Sequence, residues 1–247
     1  MATLILVRHG RTTANASGML AGRTAGVRLD ETGEQQAAKA GARLADVRLA
    51  TAVTSPLERC RQTADAILAA RADQVPLTVE EAVTECDYGS WQGRPLKELA
   101  QEPLWKTVQT QPSAAAFPDG ESMLTMQARS VAAVRRLDAA ISAEHGAEAI
   151  WVAVSHGDII KSILADALGM HLDLFQRLHV DPASISIIRY TEARPFVLAT
   201  NTHDGELGWL NPKPKTDGDS DAQSAGDAVI GGGAGPGAES ASAADRA

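Results

Sequence analysis

Two histidines in this chain share one setting. Leu4-Ile5-Leu6-Val7 runs into Arg8-His9-Gly10, and Ile150-Trp151-Val152-Ala153-Val154 runs into Ser155-His156-Gly157. Each apolar run suits a strand buried on both faces of a parallel sheet. In open α/β sheets ligands bind beyond the carboxyl ends of the strands, so both imidazoles would be delivered to a cleft on rigid support. A lone Arg-His-Gly reads equally well as a polar strand exit; a second strand-end His-Gly is hard to explain as packing. Arg8 and Arg59 offer planar guanidinium groups suited to the oxygens of a phosphate-like anion. Arg59 lies just inside a helix N-terminus, itself attractive to anions, although position alone also fits a solvated helix charge. Provided the fold gathers Arg8, His9, Arg59, Glu85 and His156, a neutral imidazole can attack phosphorus. One carboxyl group can then protonate the leaving alcohol and later activate water. Glu85 is the candidate for that task, with Asp87 as the fallback.

The elements that must hold these residues follow from the pattern of the chain. Arg11 to Asn15 reads as a donor-rich loop facing the same cleft, and Met19 to Asp30 as a surface excursion. Thr32 to Leu44 is predicted helical. Ala50 to Thr54 is a short strand, and Ser55-Pro56-Leu57-Glu58 has the form of a capping box that opens a helix. Leu57, Cys60, Ala64, Ile67 and Leu68 mark its inner face. Val75 to Val83 is an extended segment leading to Glu85, and Tyr88 and Trp91 point to a working loop rather than an idle turn. Residues 94–120 read as a lid-like insertion broken by Pro103 and Pro112. A long helix then runs to about His145. Another, from Ile159 to Leu168, follows His156 and Gly157 and stops at Gly169. Two further strands lie within Ser184–Tyr190 and Phe196–Thr200, and His171, His179 and His203 are assigned to packing or surface.

Composition narrows the classes. The chain has 247 residues, of which 44% are hydrophobic, enough for a proper core. The net charge of -8 argues against nucleic acid or an anionic membrane as the main partner. No apolar run is long enough to span a bilayer, and the N-terminus has no signal-peptide pattern. Cys60 and Cys86 form neither a disulfide framework nor a zinc-binding spacing, so a cytoplasmic location is expected. From Lys213 onward Asp, Gly, Ser and Ala dominate without apolar periodicity, which predicts a folded domain over 1–212 and a disordered acidic tail over 213–247.

Arg8-His9-Gly10 with Thr12 and Asn15, Ser55 to Arg59 with Thr63-Ala64, Glu85 through Tyr88-Gly89 to Gly93, and Ser155-His156-Gly157, in this order, resemble the histidine phosphatase (phosphoglycerate mutase-like) superfamily. The resemblance implies a three-layer α/β/α sandwich with a mostly parallel sheet and a phosphohistidine at His9. It implies a phosphate pocket of Arg8, Arg59, His156 and Gly157 aided by Asn15, with Glu85 as proton donor and neither metal nor organic cofactor. Cofactor-dependent mutases of that family carry an adjacent arginine pair in a longer insertion after the catalytic acid. Here Arg94, Lys97 and Lys106 stand apart, and Arg135-Arg136 comes later on a helix where solvation is expected. Arg11, where mutases usually show glutamate, leans the same way and would touch an anionic substrate; Arg23 and Thr24 would face the rest of it or belong to a surface loop. The preferred reading is a phosphatase of a small phosphorylated metabolite, working best at mildly acidic pH. A phosphomutase and a non-catalytic phospho-ligand scaffold are the alternatives, and the oligomeric state is open.

Overall fold

Successive side chains of a strand face opposite ways, so an unbroken apolar run demands cover on both sides. The computed structural model, which describes residues 1–203 and Gly231, meets that demand. Strand β1 (Thr3–Arg8) sends Leu4 and Leu6 into one apolar core and Ile5 and Val7 into a second. The chain continues through α1 (Thr13–Ala16), α2 (Glu31–Leu44), β2 (Leu49–Thr54), α3 (Glu58–Ala69), β3 (Leu77–Val79), α4 (Leu96–Leu99) and α5 (Pro103–Thr110). It ends with α6 (Met123–His145), β4 (Ile150–Ser155), α7 (Gly157–Ala167), β5 (Ile185–Arg189) and β6 (Phe196–Thr202).

The strands form one sheet in the order β3-β2-β4-β1-β5-β6. The first four run parallel, β5 pairs antiparallel with β1, and β6 pairs antiparallel with β5. Ala40 and Leu44 of α2 with Cys60, Ala64 and Ile67 of α3 cover one face. Met126 and Val134 of α6 with Ile159 and Ile163 of α7 cover the other. This is the expected three-layer sandwich with a mostly parallel sheet. Its consequence for chemistry lies in one register: Arg8 pairs with Ser155, so the two strands that end in histidine leave the sheet side by side.

The 94–120 segment adds Leu99, Val108 and Phe117 to the larger core, and Trp105 stacks on Trp91 at 6.3 Å between ring centroids. Helix α6 starts where Ser122 Oγ accepts from the Thr125 N–H, at 3.0 Å. The expected disordered tail falls outside the described residues except for Gly231. Among the described residues no helix is long and apolar enough to cross a membrane.

The capping box expected at Ser55 does not form. Helix α3 begins at Glu58, with Leu57 in the capping position and no side-chain cap. Ser55 Oγ instead meets His156 Nε2, and Glu58 Oε1 accepts from the Gly26 N–H. A buried ring nitrogen left without a partner would cost more than a helix N–H at the half-buried Glu58, so the tertiary contact wins.

Gly33, in the first turn of α2, illustrates how closely the loop after β1 is held. A Cβ there would overlap the Arg11 carbonyl oxygen, and one on Gly10 would overlap the Gly33 carbonyl. Helix propensity alone favours alanine over glycine by about 1 kcal/mol. Gly33→Ala is nonetheless expected to destabilise by roughly 1–3 kcal/mol through overpacking, measured as a lower urea midpoint with an unchanged slope.

Candidate active site

Arg8, His9, Arg59, Glu85 and His156 come from β1, α3, the segment after β3, and β4, and none is more than 3% exposed. In so dry a place each hydrogen bond is strong and each unmet group costly. His9 Nδ1 lies 2.7 Å from the Gly10 carbonyl oxygen. A carbonyl only accepts, so Nδ1 carries the proton and Nε2 presents its lone pair. That nitrogen lies 3.3 Å from Arg59 Nε. Burial first, then the charges of Arg59 and Arg8, hold the His9 imidazole well below the usual histidine range, so it stays neutral.

His156 takes the opposite tautomer. Arg59 Nη2, which can only donate, is 3.2 Å from His156 Nδ1. The ring proton therefore sits on Nε2 and is donated to Ser55 Oγ over 2.7 Å. The two rings stand 5.3 Å apart, centroid to centroid, at 61°. Burial and the nearby Arg59 keep His156 neutral as well. Arg59 thus joins both rings, donates to the Gly22 carbonyl, and leaves Nη1 buried without a partner. A buried guanidinium nitrogen with no acceptor is what an anion-binding site requires. Arg8 donates from Nη1 to the Val180 carbonyl and from Nη2 to that of Gly231. Burial lowers its affinity for its proton, to a pKa of about 10, while Glu85, Asp181 and Asp158 act in the opposite sense. Gly157 opens α7 directly after His156, so the first-turn backbone N–H groups begin there.

The Glu85 carboxyl accepts the Cys86 N–H at 2.9 Å. Burial, then the Asp158 carboxylate, pushes it up to about 8, against the pull of Arg59 and Arg8. Its main chain is gripped too: the Glu85 carbonyl accepts from Arg23 Nε (2.8 Å) and Arg129 Nη2 (3.1 Å). Glu121 holds both arginines, at 2.9 Å and 2.6 Å. Sequence reasoning missed Arg129 and Glu121, which carry no local motif, and it missed Ser55 by assigning it to a helix cap.

Two residues, Arg11 and Arg23, sit differently from their sequence expectations. Arg11 does not face the cleft: it is bound to Asp30 at 2.7 Å and Thr32 at 2.8 Å, at the start of α2. Arg23 holds the Glu85 loop. Asn15 Oδ1 accepts from the Thr12 N–H and hydroxyl, closing the capping box of α1. Asp87, the fallback acid, is half-buried and accepts from the Gly89 N–H, so its oxygens are engaged within its own loop. Arg135, expected in solvent, is exposed and paired with Asp166. Among the described residues no cluster of three or more His, Cys, Asp or Glu is arranged to hold a metal ion.

Known proteins place this geometry in a family. The model of the histidine phosphatase superfamily (branch 1) matches residues 4–203. The bifunctional protein Rv2228c of Mycobacterium tuberculosis is 34% identical over 190 residues, 76% of this chain, and the chain spans about half (50%) of that relative's length. "Probable phosphoglycerate mutase GpmB" of Erwinia tasmaniensis is 32% identical over 195 residues, covering 78% of this chain and 87% of that protein. Phosphoserine phosphatase 1 of Hydrogenobacter thermophilus is 30% identical over 212 residues, covering 84% and 96%. The solved structure of Bacillus stearothermophilus YhfR aligns with a TM-score of 0.73 at 27% identity, covering 80% of this chain and 96% of that one. With a buried, neutral His9 beside Arg8, Arg59 and His156 and a family match over nearly all of the described fold, this chain belongs to branch 1 of the histidine phosphatase superfamily.

Proposed function

We propose that the chain is a phosphatase that hydrolyses a small phosphorylated metabolite through a phosphohistidine on His9. The observation that carries this reading is the His9 tautomer: Nδ1–H is anchored on Gly10, and the unprotonated Nε2 faces Arg59, whose Nε donates to it over 3.3 Å. In the first step the Nε2 lone pair forms the N–P bond as the ester P–O bond breaks. Glu85 gives its proton to the departing alkoxide oxygen. The Nδ1–H contact to the Gly10 carbonyl supports the positive ring that results. Water then attacks phosphorus, Glu85 takes its proton, the N–P bond breaks and inorganic phosphate leaves. Arg8, Arg59 and the Gly157 end of α7 hold the phosphoryl oxygens, His156 serves the pocket by accepting from Arg59 Nη2 and so fixing that guanidinium, and Asn15 aids the pocket. No metal enters this scheme, and the cytoplasm is the proposed location.

The proton on Glu85 sets the pH dependence. A carboxyl raised to about 8 is in its acid form throughout the acid and neutral range, and His9 stays neutral well below the ordinary histidine range. Turnover of an alkyl phosphate in the presence of EDTA is therefore expected to be level from mildly acid to neutral pH. It should fall as the pH rises through about 8, where Glu85 loses its proton. A requirement for added divalent metal, or activity that climbs through that range, is incompatible with the scheme. The mutase reading has one observation in its favour, the similarity to GpmB. It predicts that a phosphorylated or hydroxylated acceptor diverts the phosphoryl group from water, which product analysis would reveal.

A further inference from the structure

Asp158 is a buried carboxylate for which the scheme above has no task. It follows Gly157 in the first turn of α7 and is 0% exposed. Its Oδ2 accepts the Tyr88 hydroxyl at 2.7 Å and the Gly231 N–H at 3.1 Å. Lys161 Nζ, which donates to Gln176, stands 3.9 Å from Oδ1. Two links tie Asp158 to the reacting groups. Gly231 spans it and Arg8, with its N–H on Asp158 and its C=O on Arg8 Nη2. Tyr88 lies three residues beyond Glu85 in the same loop, so the Tyr88–Asp158 hydrogen bond fastens the start of α7 to the segment that carries the acid.

A general acid must begin protonated, yet Glu85 lies within the field of two arginines, which favours the carboxylate. Two buried carboxyl groups that feel each other share charge unequally, and the one with more donors and cations around it takes the charge. Asp158 is faced by Tyr88, Gly231, Lys161 and Arg8; the Glu85 carboxyl accepts a single hydrogen bond, from Cys86. We propose that Asp158 is a positioning residue that keeps the proton on Glu85 by lodging a negative charge in the buried cluster that the Tyr88–Asp158 hydrogen bond ties to the Glu85 loop, an inference that rests on the phosphatase reading. The ordering of influences on Glu85 agrees, since Asp158 is second only to burial in opposing its ionisation.

The test follows the carboxyl C=O stretch of protonated Glu85 by infrared spectroscopy on the full chain, assigned by its loss in Glu85→Gln and titrated against pH. Asp158→Asn should lower the midpoint by at least about one pH unit, and the alkaline limb of the turnover profile should move with it while the acid side changes little. Asp158→Ser removes the same charge with a smaller side chain and should give the same shift if the asparagine variant does not fold. Tyr88→Phe retains the carboxylate and loses one of its donors, so its midpoint should stay or fall by less than in the neutral variants. An unmoved midpoint in the neutral variants overturns the proposal, as does a fall in Tyr88→Phe equal to theirs, which would trace the effect to packing. A wild-type band that titrates as expected in a protein without phosphatase activity would sink the functional reading and leave the role of Asp158 standing.

Discussion

His9→Ala is expected to lose at least about 10⁴-fold in kcat, because it removes the atom to which the phosphoryl group is transferred. The pocket itself should survive. Arg59 loses its contact to the His9 ring, but Arg8 and Arg59 keep their anchors on the Val180 and Gly22 carbonyls. Inorganic phosphate or vanadate should therefore still bind within about tenfold of wild type, since the charge-assisted contacts remain. Incubation with substrate labelled in the phosphoryl group should place label on the wild-type chain, stable to alkali and lost in acid, and none on the variant. Turnover by His9→Ala within tenfold of wild type would rule out His9 as the nucleophile. His156 would then be the ring to test, with its Nε2 proton committed to Ser55.

Glu85→Gln is expected to be the second largest loss, about 10²–10⁴-fold with alkyl phosphates. The substitution keeps an oxygen for the Cys86 N–H and most of the shape of the side chain, so the fold should tolerate it. Two readouts separate lost proton transfer from lost binding. First, p-nitrophenolate leaves well without a proton, so p-nitrophenyl phosphate should suffer much less than an alkyl ester in the first step. Second, glutamine cannot take a proton from water, so dephosphorylation becomes the slow step and a burst of about one nitrophenolate per enzyme should precede slow turnover. Equal losses for both substrates with no burst would move the acid to another residue. Asp87 is poorly placed to take over, because the Gly89 N–H and Arg23 hold its carboxylate within its own loop.

These two expectations depend on features of unequal visibility in the chain. The strands are visible because a run such as Leu4 to Val7 is stable only when both faces are covered, which already implies helices on either side of a sheet. His9 and His156 are visible as candidates because each ends such a run and precedes a glycine. Glu85 was legible from the mixture of acid, aromatic and glycine residues after it. Local rules misled where a tertiary contact made a stronger demand. Ser55 satisfies the buried His156 ring instead of the helix end, and Arg11 binds Asp30 and Thr32 instead of reaching the cleft.

The amino-acid sequence by itself determined the layers of the fold, the two strand-end histidines and the family, because hydrophobic period and motif order are properties of neighbours along the chain. Only the tertiary structure decided the electrical state of the site. The β1–β4 register sets Arg8 opposite Ser155, Arg59 then bridges the two rings, and opposite tautomers leave His9 Nε2 unprotonated and facing Arg59. Arg23 and Arg129 reach Glu85 across 62 and 44 residues, and Asp158 meets Tyr88 across 70. Hydrogen bonds and charges act through a few ångströms of dry protein, and no pattern of near neighbours in a sequence encodes which distant groups the packing will bring within that range.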